Sequence, residues 1–304
     1  MWFNNALIYR CTSTASLNTY LEEERLKACP PHARFIYGWL PVLPEMFVHE
    51  IAGASLFSLG KEEKILPKNV IHRILNEQII NLETQRGYPV KRAERAQLAE
   101  ELEFQLLPKA FCVQKRLPAL LDSINQRLII NTSSATQAGQ LLALLRKSAP
   151  DTHIEPFTTA QSIQSTLTSW VSNPETLPSD FSLASYCLLI DPNDEKKRFQ
   201  CKGYELPAEE VCQLLSQGLQ VIEVELVWQD RISFILTHTL SFKKVRALDY
   251  LVDAFHEIRD LEEEQAQQDA SLALLAGEWR AVLSDLNKAL AFEEKSVEKM
   301  PELV

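Results

Sequence analysis

Leu219-Gln220-Val221-Ile222-Glu223-Val224-Glu225-Leu226-Val227-Trp228 is the stretch that decides the fold class. On an extended chain Val221, Glu223, Glu225 and Val227 fall on one side. Ile222, Val224, Leu226 and Trp228 fall on the other. Mixed polarity on one side and an unbroken apolar row on the other is the pattern of a half-buried antiparallel strand. Gln229-Asp230 then makes a two-residue turn, and residues 231–237 return as a second strand.

Working outward from this hairpin, residues 181–190, 198–205 and 239–245 are further β-rich runs, with a short helix over 207–216. The C-terminus is helical over 248–268 and 272–292. Toward the N-terminus, Ser172-Asn173-Pro174-Glu175-Thr176-Leu177-Pro178-Ser179 has loop composition and marks a boundary. Before it come three β/α alternations. Strands are expected at 111–113, 119–122, 127–131 and 153–157. Thr132-Ser133-Ser134 caps a helix running to Arg146-Lys147, and a second helix covers 159–171. Ile71, Ile74, Leu75, Ile79 and Leu82 recur at helical spacing, and Arg86-Gly87-Tyr88-Pro89 stops that helix. A second long helix follows over 91–107. The first 60 residues read as a strand over 3–10, a helix over 17–29, a strand over 34–40 and a paired 47–51 and 54–59. The class is α+β, with antiparallel sheets and long helices in a multi-lobed subunit, not a doubly wound sheet. The expected parts are a β-rich stretch of a central lobe (1–66), a helical basic lobe (67–118), a β/α part (119–178) and a β-rich lobe with C-terminal helices (179–304).

The chain has 304 residues, 46% of them hydrophobic, and room for a large core. No apolar run reaches the roughly 18–20 residues of a membrane span. Met1-Trp2-Phe3-Asn4-Asn5 lacks the basic start of a signal peptide. Six cysteines without CxxC spacing read as free thiols.

Enzyme signatures fail on inspection. His49-Glu50 and His256-Glu257 begin like HExxH, but Gly53 and Asp260 stand where the second histidine belongs. Gly53-Ala54-Ser55-Leu56 begins like a nucleophile elbow, and Phe57 replaces its second glycine. His32, His72, His153 and His238 have no partner at metal-ligand spacing. No Gly-rich phosphate loop is present among only 8 glycines. The expectation is a non-enzymatic protein without cofactor or metal. A catalytic site assembled in space from distant residues is the competing reading.

Charge gives the positive signal. The whole chain carries -10, yet residues 61–120 hold eleven basic and eight acidic side chains. Residues 250–304 hold thirteen acids and five bases. The asymmetry suits one basic face on an acidic exterior, or ordinary solvated helices with ion pairs. The basic candidates cluster as Lys61, Lys64 and Lys68; Lys91, Arg92 and Arg95; Lys109, Lys115 and Arg116; Arg146 and Lys147; and Lys202. Arg146 and Lys147 equally suit a helix C-terminus. No recognition helix, zinc finger or RNP-type aromatic box accompanies them, so a polyanion would be held by its backbone. Phe111 and Tyr204 lie beside lysines and fit core packing, base stacking or a subunit contact.

Five motifs carry a resemblance. They are Met1-Trp2-Phe3-Asn4-Asn5, Gly38-Trp39-Leu40-Pro41, Lys61-Glu62-Glu63-Lys64-Ile65-Leu66-Pro67, Leu107-Pro108-Lys109-Ala110-Phe111 and Leu142-Ala143-Leu144-Leu145-Arg146-Lys147-Ser148. Leu226-Val227-Trp228-Gln229-Asp230-Arg231-Ile232 matches in character. In this order, along nearly the whole chain, they resemble the bacterial recombination-associated RdgC family. The resemblance implies a cytoplasmic, nucleoid-associated protein that binds double-stranded DNA without sequence preference. It implies a ring-shaped homodimer with a positively charged hole, which restrains the RecA recombinase during recombination and replication fork repair. It also implies Lys109 toward DNA and a subunit contact at Phe111; Tyr204, beside Lys202, is the other subunit-contact candidate. The sequence departs from the family around 199–205, where basic character thins to Lys202, and at Cys112-Val113-Gln114. The alternative is a protein-interaction module whose acidic C-terminal helices bind a recombination partner without DNA.

Overall fold

The computed structural model describes residues 2–12, 17–203 and 205–292. Among them twelve strands form a single sheet, and every strand pairing is antiparallel. Its middle is β1 (Ala6–Thr12), flanked by β6 (Arg127–Ile130) and by β12 (Ser241–Ala247) and β7 (His153–Pro156). One wing continues through β5 (Cys112–Asp122) and β4 (Ala54–Lys64) to β2 (Phe35–Leu40), with the short β3 (His49–Ile51) also on β4. The other wing continues through β11 (Ile232–Thr237), β10 (Gln220–Trp228) and β8 (Phe181–Asp191) to the edge strand β9 (Asp194–Lys202).

The central strands are covered on both faces. In β1, Ala6 and Ile8 enter one core while Leu7, Tyr9 and Cys11 face another. The first core is closed by α5 (Ile163–Ser172), α6 (Glu209–Ser216), α7 (Asp249–Arg259) and α8 (Glu264–Leu290). The second is closed by α1 (Leu17–Glu23) and α4 (Ala135–Ser148). Two further helices, α2 (Lys68–Arg86) and α3 (Arg92–Leu106), pair as a hairpin around a small cluster of Leu75, Ile79 and Leu102. In α8, Leu272, Leu275, Ala276, Trp279, Val282, Leu283, Leu286 and Leu290 are buried, a helical stripe laid on the sheet.

The expected β10 alternation holds from Glu223 onward: Val224, Leu226 and Trp228 are buried, and Glu223, Glu225 and Val227 are half-buried; Val221, expected on the side of Glu223, is buried together with Ile222 at a register shift. Gln229 and Asp230 both have positive φ, 46° and 51°, as a type I′ hairpin turn requires. Gly87 closes α2 in the left-handed region and donates to the Glu83 carbonyl.

Four expectations change. The strands expected at 111–113 and 119–122 are two ends of β5, whose polar middle pairs with the charged end of β4. The helix expected from 159 begins at Ile163, because Ser162 caps it. The helix over 17–29 stops at Glu23, because β2 captures the next backbone: Trp39 N–H donates to Glu24 and Leu26 N–H donates to Trp39. Gly38 permits that approach; a Cβ there would lie 2.4 Å from the Leu26 Cα. The helix over 248–268 is broken between α7 and α8. Glu262, Glu263 and Glu264 favour a new helix start, where the dipole attracts acids. Gln267 donates to the Arg259 and Leu261 carbonyls at the break.

Candidate nucleic-acid interface

Strands β2, β4 and β5 run on past the buried core as a three-stranded ribbon. Antiparallel register places Tyr37, Lys61 and Lys115 side by side across it. Two residues along lie Phe35, Glu63 and Val113. Opposed residues share a face, so cations and aromatics line one side of the ribbon. The Lys61 ammonium lies 4.7 Å from the Phe35 ring centroid, and the Phe35 and Tyr37 rings meet edge to face at 5.4 Å.

Lys61 and Lys115 line a cleft of about 330 Å³ together with Tyr37, Asn131 and Ser134. Ser134 is the N-cap of α4, and its hydroxyl accepts from the Gln137 N–H. The first turn of α4 thus adds its partial positive charge to the same cleft. Arg116, the next residue on β5, points to the opposite face of the ribbon and donates to the Pro41 carbonyl at 3.0 Å.

One acid sits among these cations. Glu63 bonds Lys115 at 2.8 Å and Lys61 at 2.9 Å. Hydrogen bonds from Lys115 and then Lys61 hold its carboxyl at about 2, below its ordinary 4.5. The folded value is the depressed one, so this link stabilises fully above pH 4.5 and fades as pH falls toward 2. Glu63→Gln is expected to flatten the stability–pH curve in that window, measured by urea unfolding at several pH values.

The other sequence candidates lie apart from this cleft. Lys64 donates to the Pro31 carbonyl at the ribbon's end. Lys68 opens α2, and Lys109 closes the 3-10 turn Leu107–Lys109; both are exposed. Lys91, Arg92 and Arg95 sit at the turn between α2 and α3, the far end of the hairpin. The 19 residues of α2 put them about 28 Å from the ribbon end. Arg95 donates to Asn76 at 2.7 Å. Arg146 and Lys147 occupy the end of α4 opposite Ser134, about 20 Å away. There they hold structure, with Arg146 donating to the Ile154 carbonyl and Lys147 pairing with Glu24. Lys202 lies on β9, roughly 40 Å along the sheet from β4. Phe111 stands out at 85% exposure, and Tyr204 lies outside the described residues.

Sequence reasoning missed the polar wall of this cleft and a second basic run at the far edge of the sheet. Asn131, Thr136, Gln137 and Gln140 supply the cleft's polar wall, and nothing in their spacing connects them to Lys61. Lys196, Lys197 and Arg198 precede Lys202 on the exposed edge strand. Asp191 and Asp194 hold Lys197.

Elsewhere, His49 meets Asp269 at 2.7 Å, and His32 stacks on Phe104 at 4.0 Å. Among the described residues no three His, Cys, Asp or Glu side chains gather as a metal-binding group. No helix among them is long and apolar enough to cross a membrane.

A family model described as "Putative exonuclease, RdgC" matches residues 1–293. A curated protein of Yersinia pestis (strain Pestoides F), named Recombination-associated protein RdgC, is 31% identical over 301 residues. The match covers 96% of this chain and 99% of that relative. The protein of the same name from Yersinia enterocolitica (serotype O:8 / biotype 1B) is 30% identical over equal coverage. With the match running through both wings of the sheet and the α2–α3 hairpin, the chain belongs to the RdgC family.

Proposed function

We propose that this chain binds double-stranded DNA without reading its sequence, as a protein of recombination. The observation that carries the reading is the convergence of Lys61, Lys115 and the α4 N-terminus on one cleft. Cations on a rigid ribbon meet phosphates regardless of base identity, and released counterions supply the affinity. Phe35 and Tyr37 beside them offer apolar contact to sugars. That the curated relatives are named recombination-associated proteins supports a role in recombination.

Fluorescence anisotropy with two short duplexes of unrelated sequence, titrated at several salt concentrations, tests this. Equal affinities and a log–log salt slope of several negative units are expected. Glu63→Gln removes the carboxylate shared by Lys61 and Lys115, so it should bind both duplexes several-fold tighter. Unequal affinities, or no binding at low salt, would overturn the reading.

The family resemblance extends the proposal to a ring-shaped homodimer that encloses the duplex and restrains RecA-type recombinase by occupying its track. A nucleoid location follows from such binding. A ring also reconciles a net charge of -10 with DNA, by turning basic surface inward. Light scattering should then give twice the 34.6 kDa of one chain. A monomer at micromolar concentration would remove the ring.

The description of the matching family model favours a second reading, an exonuclease. Incubating the protein with end-labelled duplex and Mg²⁺ separates the two. Progressive loss of terminal nucleotides would replace the binding-only proposal.

A further inference from the structure

Cys187 in β8 and Cys201 in β9 lie directly opposite each other in the antiparallel ladder. The Gly203 N–H donates to the Ser185 carbonyl at 2.8 Å, which makes 185–203 a closely bonded pair. Bonded pairs alternate along a ladder, so 187–201, two residues on, is of the same kind. Cα atoms in such pairs stand about 5.5 Å apart. A disulfide spans Cα separations of roughly 4.4–6.8 Å.

Their surroundings differ in a useful way. Cys187 is fully buried in the core with Leu189, Val221 and Val224. Cys201 is half-buried on β9, the last strand of its wing. A small solute can therefore reach Cys201 and not Cys187.

We propose that Cys187 and Cys201 form a dithiol site that a hydroperoxide converts to an intramolecular disulfide. The Cys201 thiolate attacks one peroxide oxygen, the O–O bond breaks, and the leaving oxygen takes a proton to depart as water or alcohol. Cys201 is then a sulfenic acid. The Cys187 sulfur attacks the Cys201 sulfur, an S–S bond forms and the S–O bond breaks. The departing hydroxide takes the Cys187 proton and leaves as water. The two thiols lose two electrons and two protons, and the peroxide is reduced by the same two electrons. Burial, reinforced by Cys201 alongside, pushes the Cys187 thiol up to about 12. Cys187 therefore stays protonated until the sulfenic acid forms beside it, which assigns the first step to Cys201. The resulting rung fastens the edge strand, with Lys196, Lys197, Arg198 and Lys202, to β8.

The test uses the full folded chain. It is treated with a few-fold excess of hydrogen peroxide, alkylated in denaturant and mapped by peptide mass. Two fewer of the six cysteines should alkylate, and one cross-linked peptide should join residues 187 and 201. Excess dithiothreitol should restore both thiols. C201S, at the accessible position, should leave Cys187 reduced. C187A, if it folds, should carry Cys201 on to sulfinic acid. Unfolding the wild type in urea before peroxide should abolish the preference for this pair. Cys201 over-oxidised in the folded wild type with Cys187 still alkylated would overturn the proposal. So would a link between Cys29 and Cys112, or between two chains, in place of 187–201. Selectivity retained in urea would also sink it, because the ladder would then be irrelevant.

Discussion

Replacing Lys61 and Lys115 together by glutamine is expected to weaken duplex binding by about two orders of magnitude at about 0.1 M salt. Each phosphate contact contributes about 0.9 to the log–log salt slope of duplex binding, so two lost contacts flatten the slope by about 1.8. At 0.1 M salt that change is itself a loss of about 1.8 decades. The loss should be equal on unrelated duplexes, because these side chains supply charge and no base-reading geometry. The fold should survive. Lys115 is exposed and Lys61 half-buried, and the ribbon's register rests on backbone ladders along the whole length of β4 and β5. Circular dichroism of the double variant checks this independently. Lys91, Arg92 and Arg95, about 28 Å away at the hairpin tip, make the comparison set. If the cleft dominates, reversing those three to glutamate costs less than neutralising the cleft. If the tip variant loses more, the principal DNA surface is the α2–α3 hairpin. An unchanged salt slope in both variants would place the contact elsewhere.

The difference between the two basic groups also shows what the sequence could and could not reveal. Lys91, Arg92 and Arg95 are neighbours in sequence and remain neighbours in space, since one turn of helix holds them. Lys61 and Lys115 are 54 positions apart, and only the β4–β5 register makes them adjacent. Alternation marked the apolar ends of those strands, and their charged ends carried no such mark. Pro118 and the Lys115-Arg116 pair broke the apolar pattern, so β5 read as two fragments. In the structure Pro118 accepts from Asn131 just where β6 ends, so its missing N–H costs the ladder little. Arg146 and Lys147 illustrate the opposite case. Their position at a helix end was legible, and so was the reason for it: they satisfy the end of α4 and its neighbours and stand away from the cleft. The turn at Gln229-Asp230, the cap at Ser134 and the stop at Gly87 were legible because each depends on local backbone chemistry. The joining of both wings into one sheet was not, because the β1–β12 pairing is specified by burial on two faces and not by any local signal.

Removing Arg280 is expected to be the most destabilising single polar change. Asp122, at the end of β5, is 2% exposed, and its Oδ1 accepts from Arg280 Nε at 3.0 Å and Nη2 at 2.8 Å. Arg280 Nη2 also donates to the Ala52 carbonyl at 3.0 Å, so one guanidinium on α8 fastens the turn between β3 and β4 as well. Arg280→Leu keeps the packing volume and leaves a carboxylate buried without its cation. Breaking such a pair from one side costs about 3–5 kcal/mol. Ile124 N–H and Asn125 still donate to Asp122, at 3.2 and 2.7 Å, which favours the lower end of that range. A loss of about 3 kcal/mol corresponds to a drop in Tm on the order of 6 °C for a domain of this size. The double change Arg280→Leu with Asp122→Asn should recover part of it, because a neutral amide keeps its local partners without a buried charge. Urea midpoints of the wild type, both single variants and the double variant give the coupling directly. Additive losses would mean that the two side chains stabilise the protein separately. A double variant more stable than Arg280→Leu alone would show that the penalty belongs to the orphaned carboxylate. The contact between α8 and the β3–β4–β5 wing would then be held by packing, with the ion pair fixing where it sits.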